Sequence, residues 1–346
     1  MVTILIMLEE QITYHFNNKE LLRVATTRLA AVHENRATLP EQCFTYARLR
    51  FIGVRVLSLA ISDLLFSTTL FKTEGGLTLA HARILSHNGL LVAAARKIKL
   101  DESLILGWGE QLNDIQLNDK VLFSHMQALF GAIWLDCNRD YATIIQVILH
   151  LFEFPSLNRS YISLIDLPVG CYPPSNFDAI QSKISYRFNN LNFLIHALLR
   201  QSALEESLVG ATASFQTLEF LGDKIFGCIV ADWLFENCSE DSDKLSPLLD
   251  QMVCNTNILS NVASALKLGD ALILGNGESL MGLSNNRRRM ADHLEAVIAA
   301  IWLDTSQRYP VTREILLKLF LPSLIQIFLP IARTAFNFTC YVDYPS

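Results

Sequence analysis

The chain is 346 residues long, 51% hydrophobic and 18% charged, apolar enough to bury a sizeable core and outside the composition of disordered chains. Its 28 basic and 34 acidic residues leave a net charge of −6, which argues against a broadly cationic nucleic-acid-binding surface and confines any phosphate binding to local groups. Seven scattered cysteines with no Cys-x-x-Cys pair fit a reduced intracellular chain without a disulfide framework or a zinc site.

The N-terminal run Val2 to Leu8 is apolar, has no basic residue ahead of it and meets Glu9 and Glu10 at once, unlike a secretory signal. Beyond it the sequence contains itself twice. Tyr14-His15-Phe16-Asn17-Asn18 returns as Tyr186-Arg187-Phe188-Asn189-Asn190, and Phe51-Ile52-Gly53 as Phe220-Leu221-Gly222. Leu104-Ile105-Leu106-Gly107-x-Gly109-Glu110 returns as Leu272-Ile273-Leu274-Gly275-x-Gly277-Glu278, and Ala132-Ile133-Trp134-Leu135-Asp136 as Ala300-Ile301-Trp302-Leu303-Asp304. Such a repeat is domain-sized. The expected organisation is a first copy at 5–152, a connector at 153–175 carrying Pro155, Pro168, Pro173, Pro174 and Gly170, a second copy at 176–326 and a C-terminal tail at 327–346 without helical period beyond Pro330.

Apolar residues recur at three and four positions in both copies, and strand-like alternation is absent, which predicts an all-α fold. In the second copy the spacing predicts helices over Leu218 to Phe235, Pro247 to Leu266 and Met290 to Leu303, with Asn255 and Gly282 to Asn286 at helix starts or turns. The stretch Ile315 to Ile331 is broken by Lys318, Pro322, Gln326 and Pro330 and falls short of the ~20 clean apolar residues of a membrane span. Two duplicated all-α copies are expected to pack as an internal pseudo-dimer, with a homodimer of exchanged copies as the alternative.

Glu219 and Asp223 stand four apart on one predicted helix, and Asp292 and Glu295 three apart on another, so each pair projects from one helix face. Four carboxylates converging from neighbouring helices repel unless a cation joins them, and all-oxygen ligands suit Mg²⁺ or Mn²⁺. Such an ion serves phosphodiester hydrolysis. The first copy is an internal control: Arg50, Val54, Ser124 and Gln127 replace Glu219, Asp223, Asp292 and Glu295 while the flanking apolar residues and glycines stay. The fold does not require the acids, so they mark a site kept in one copy and lost from the other.

Leu218-Glu219-Phe220-Leu221-Gly222-Asp223 resembles the signature of the ribonuclease III family, and Ala291-Asp292-His293-Leu294-Glu295-Ala296 its second acidic motif. The resemblance covers the second copy; the first resembles the same domain in its framework only. It implies two tandem helical ribonuclease III-like domains and a metal-dependent endoribonuclease that cuts double-stranded or structured RNA to 5′-phosphate and 3′-hydroxyl ends. Glu219, Asp223, Asp292 and Glu295 would be the metal ligands and catalytic residues. Gln216 stands where the family signature usually opens with Glu, which implies altered substrate engagement.

Arg287, Arg288 and Arg289, with Gln216, are the candidate RNA contacts, and a protein partner supplying RNA affinity is expected because few basic residues are available. His293 is expected to be structural, because His125 occupies its place where the acids are gone. Trp134 and Trp302 are expected in the core, and the Gly-x-Gly pairs as turns. The competing reading is a non-catalytic RNA-binding or structural subunit of a ribosomal or RNA-processing complex. Either way the chain is expected inside the cell, in the cytoplasm ahead of the nucleus or an organelle, and with no membrane partner.

Overall fold

The computed structural model describes residues 2–39, 45–68, 73–86, 89–152, 175–200, 202–203, 215–238, 242–254, 256–280 and 286–335. The connector at 153–174, Asn255, residues 282–285 and the terminal 336–346 lie outside the described residues. The described residues form helices and turns, with two isolated parallel bridges, Thr27 to Ile105 and Leu199 to Ile273, at corresponding places in the two copies. None of the helices is long and apolar enough to cross a membrane, among the described residues.

Each copy is organised around one crossing of long helices. Tyr46–Ser67 packs on Asp119–Asp136 in the first copy, and Phe215–Asn237 on Arg287–Asp304 in the second. Tyr46–Ser67 and Phe215–Asn237 also pack against each other, so both have neighbours on several sides, which is why they carry apolar residues around most of their circumference. This is the internal pseudo-dimer that the duplication implied.

The repeated blocks hold one another. Asp136 accepts from Tyr14 Oη at 2.7 Å and from the backbone N–H groups of Asn17 and Asn18 at 2.8 and 2.7 Å. Asp304 accepts from Tyr186 Oη at 2.5 Å and from Asn189 and Asn190 at 2.9 and 2.8 Å. The second Asn of each block then caps the next helix, Asn18 accepting from Glu20 N and Asn190 from Asn192 N at 3.1 Å.

Three expectations are corrected. The segment Pro247 to Leu266 is two helices, Ser242–Val253 and Thr256–Ala265, and Pro247 sits inside the first of them. The arginine triplet is the first turn of Arg287–Asp304, whose start is fixed by Asn286 accepting from Arg289 N at 3.2 Å. The last helix runs Tyr309–Ala335, through Pro322 and Pro330 and past the expected end of the second copy. Each interior proline forfeits a hydrogen bond. Opposing that cost, Leu316, Phe320, Leu324 and Phe328 recur every fourth position and are buried, with Phe320 against Phe226 and Phe328 against Trp233.

Candidate active site

Gly222 sets the geometry. A Cβ built on it would overlap the backbone carbonyl of Glu295, so only glycine lets Phe215–Asn237 approach Arg287–Asp304 this closely. Gly53 makes the same approach to the carbonyl of Gln127 in the first copy. The two centres therefore share one backbone frame and differ in the side chains mounted on it.

In the second copy the crossing brings Glu219 from one helix to Asp292 and Glu295 from the other, with a carboxylate oxygen of each within 4.8 Å of the others. All three are half-buried. Asp223, one turn beyond Glu219, lies outside this trio and pairs with Lys224 Nζ at 2.6 Å, though its charge still acts on Glu219 and Glu295.

Crowding shows in the titration of the acids. Burial, reinforced by the charges of Asp223, Glu219 and Asp292 and opposed by Lys224, pushes Glu295 up to about 9. Burial also raises Glu219 to about 7, with Asp292, Glu74 and Asp223 adding to it and Arg200 opposing. Asp292 is raised by burial too, held back by Arg288, Arg200 and Arg289. A half-buried trio of oxygen donors whose pKa values are all raised, Glu219 to about 7 and Glu295 to about 9, fits a hard divalent cation, which would take the place of their protons.

The surrounding cations are placed differently from what the sequence suggested. Arg287 is turned to Asn261 Oδ1 at 2.7 Å and Ser260, and Arg289 to Glu278 at 3.1 Å. Glu278 also holds Arg200 at 2.8 Å and accepts from Ser202 Oγ at 2.5 Å, and these partners bring its pKa down to about 2. Arg288 is exposed and acts on Asp292. Gln216 is exposed in the first turn of its helix. His293 is buried, donates Nδ1–H to Ala197 O at 2.8 Å and stacks on Phe215; burial lowers it to about 4. His125 makes the same 2.8 Å contact with Ala25 O, so the pair serves the fold.

Sequence reasoning missed four groups. Glu278 is visible as the last residue of a repeated block, but there the sequence points only to a turn at the Gly-x-Gly pair. Lys224 and Arg200 carried no pattern. Glu74 belongs to the first copy, yet its charge reaches Glu219 and Asp292, because helix Glu74–Ile84 packs against Phe215–Asn237.

At the corresponding centre of the first copy, Arg50 Nε donates to Gln127 Oε1 at 3.3 Å. Ser124 Oγ donates back to Lys120 O at 2.7 Å, and Val54 is half-buried. None of the four residues standing at these positions is a carboxylate.

Comparison with known proteins adds the family. The model described as Ribonuclease-III-like matches twice in tandem, over residues 18–151 and 190–324. The chain belongs to the ribonuclease-III-like family. Among similar proteins, Ribonuclease 3 of Syntrophobacter fumaroxidans is 33% identical over 132 residues, 38% of this chain and 54% of that protein. Ribonuclease 3 of Cupriavidus taiwanensis is 33% identical over 153 residues, 44% and 56% of the two chains. The Wolbachia pipientis wMel protein of the same name is 34% identical over 128 residues, 37% and 55%. The chain spans about half the length of these curated relatives. A solved nuclease domain of ribonuclease III from Campylobacter jejuni is 28% identical, with a TM-score of 0.38, over 44% of this chain and 99% of that one. The ribonuclease-III-like match in tandem agrees with the duplication and with the helical fold.

Proposed function

We propose that this chain is a divalent-metal-dependent endoribonuclease acting on double-stranded or structured RNA, with one active centre, in its second copy. The observation that carries the reading is the Glu219, Asp292 and Glu295 trio, present on a backbone frame that the first copy retains without the acids. These three residues would hold Mg²⁺ or Mn²⁺, with Asp223 beside them. A bound divalent ion would supply charge stabilisation at the phosphate and a water of lowered pKa; the 5′-phosphate and 3′-hydroxyl products are carried over from the ribonuclease III resemblance.

The chain's own groups prepare that chemistry. Burial and neighbouring carboxylates keep Glu295 and Glu219 protonated to higher pH than ordinary carboxylates, and a bound cation would take the place of those protons. Lys224 holds Asp223 at the rim. The Glu278 clamp on Arg200 and Arg289 secures the first turn of the helix that presents Asp292 and Glu295. The first copy supplies the packing partner and the charge of Glu74. With Arg287 and Arg289 engaged by protein groups, a protein partner is proposed to add RNA affinity, in an intracellular setting.

The net charge of −6 and the engaged arginines also favour a second reading, a non-catalytic subunit of an RNA-processing or ribosomal complex. Incubation of a labelled RNA duplex with the chain in Mg²⁺, in Mn²⁺ and in chelator, beside Glu295→Ala, separates the two. Metal-dependent cutting lost in the variant is expected; equal cutting by both proteins, or none, selects the non-catalytic reading.

A further inference from the structure

We infer that the degenerate centre of the first copy is a phosphate seat, in which Arg50 takes a backbone phosphate of the RNA strand that is not cut. The inference rests on the endoribonuclease reading and adds a binding site to it. Gly53 and Gly222 make the same close approach to the carbonyls of Gln127 and Glu295, so Arg50 stands on the first copy's frame where Glu219 stands on the second's. A fixed positive charge thus occupies the position that, across the pseudo-two-fold, belongs to a cation ligand.

The guanidinium is available. It is exposed, gives Nε to Gln127, and pairs with no carboxylate among the described residues. Neighbouring arginines are committed: Arg28 to Glu110 at 2.6 Å, Arg55 to Asp250 at 3.4 Å, and Arg48 inward to Phe235 O at 2.7 Å. Gln127 is 7% exposed, so it holds the fork from a fixed base and leaves the two outer nitrogens for a bidentate oxyanion. Val54, Ser124 and Gln127 are neutral, so none of the three residues that share the centre with Arg50 repels a phosphate. Lys120, exposed one turn before Ser124, adds a second cation to this face and corresponds to Arg288 of the second copy.

The ligand follows from symmetry. The two strands of a duplex are related by local two-fold axes, so a duplex laid across pseudo-two-fold copies offers a phosphate of one strand to one centre and a phosphate of the other strand to the other. In the second copy an acid trio with a cation meets that phosphate and can cleave; in the first, Arg50 meets it with charge alone and only binds.

The test uses the non-cutting Glu295→Ala chain, with and without Arg50→Gln, and a fluorescent RNA duplex read by anisotropy in Mg²⁺. Loss of one phosphate contact removes about 0.9 from the salt slope, so between about 50 and about 200 mM salt the Arg50→Gln protein loses about threefold less affinity than its parent. Its binding at low salt is expected to be weaker, and Arg50→Lys to recover most of it. Equal Kd and equal salt slope in parent and Arg50→Gln, with the wild-type chain still cutting, overturn the phosphate seat and leave the nuclease reading intact. Absence of both duplex binding and cutting in the unmutated chain overturns both. Stabilisation by inorganic phosphate that requires Arg50, with duplex binding unchanged, assigns the seat to free phosphate and overturns the RNA assignment. Because Arg50 is exposed, an unchanged Tm is expected in its variants; a collapse in Tm contradicts its placement.

Discussion

Trp302 of the second copy donates its indole N–H to Asp63 of the first at 3.1 Å, in an interface where both residues are buried. The reciprocal bond runs from Trp134 to Asp232 at 3.4 Å. Tyr141 stands edge-on to Trp302 and donates to Asp63 at 2.9 Å, while Tyr309 stands edge-on to Trp134 and donates to Asp232 at 3.1 Å. Each aspartate thus joins a tyrosine of its own copy to a tryptophan of the other, the reciprocity of an isologous dimer within one chain. The tryptophans are buried, as the sequence suggested, but they are also donors across the interface.

Asp232 carries a further load. Arg139 of the first copy donates to it at 2.9 Å, and Arg313 Nε stands 3.1 Å from it while pairing with Glu236. Removing the fully buried carboxylate leaves the Trp134 N–H and Tyr309 O–H without this acceptor and takes one of two carboxylate partners from Arg139 and Arg313, which keep Glu236. Asp232→Ala is expected to cost about 3–5 kcal/mol, the range for breaking a buried pair. Denaturant unfolding measures it, and a loss under about 1 kcal/mol, the scale of a surface pair, contradicts the assignment.

Gly222→Ala is expected to destabilise the chain and abolish stabilisation by Mn²⁺, because the added methyl must push the Glu219 helix off the Glu295 helix. Gly53→Ala disturbs the first copy's crossing by the same contact, so it is expected to lower Tm while leaving a Mn²⁺-dependent rise in Tm. Overpacking of this kind costs about 1–3 kcal/mol or more. Thermal unfolding with and without the ion reads both effects, and equal ion responses in the two variants contradict the placement of the cation.

The raised acids make a pH prediction whose sign is fixed by linkage. Glu295, at about 9 when folded and near its ordinary 4.5 when unfolded, binds more protons in the folded state between those values. The stability it confers is full below its unfolded pKa and is lost as pH rises through its folded one. Glu219, at about 7, adds the same trend over a narrower window. The metal-free chain should therefore lose stability from pH 5 towards 9 (about 4.5 to about 9 by linkage), and Glu295→Gln should flatten the profile. Added Mn²⁺ should raise Tm most at the alkaline end. A metal-free profile unaltered by Glu295→Gln contradicts the shared burial of these acids.

The duplication made much of this legible. Spacing alone gave carboxylates on helix faces, and the loss of all four from an otherwise repeated frame marked them as a site. The glycine retained as Gly53 and Gly222 was visible as part of a repeated block, but its place at the helix crossing, against the carbonyls of Gln127 and Glu295, was not. Asp63 and Asp232 were not legible: Asp63 is the one acid of its helix, Asp232 shares its helix with Glu219, Asp223 and Glu236, and the tryptophans they meet lie 239 and 98 residues away in sequence. Glu74 was hidden for the same reason, since its effect crosses from one copy to the other. The arginine triplet looked like an RNA contact because local sequence shows charge and does not show Asn261 or Glu278, which engage two of its members.

The most direct test of the account is cleavage of an end-labelled RNA duplex in Mg²⁺, each strand labelled in turn, by the wild-type chain at a concentration where sedimentation shows it monomeric. One active centre predicts that each duplex molecule is first cut on a single strand, giving nicked intermediates, and that Glu295→Ala makes none. Simultaneous cutting of both strands by the monomer, or cutting that survives Glu295→Ala, contradicts it.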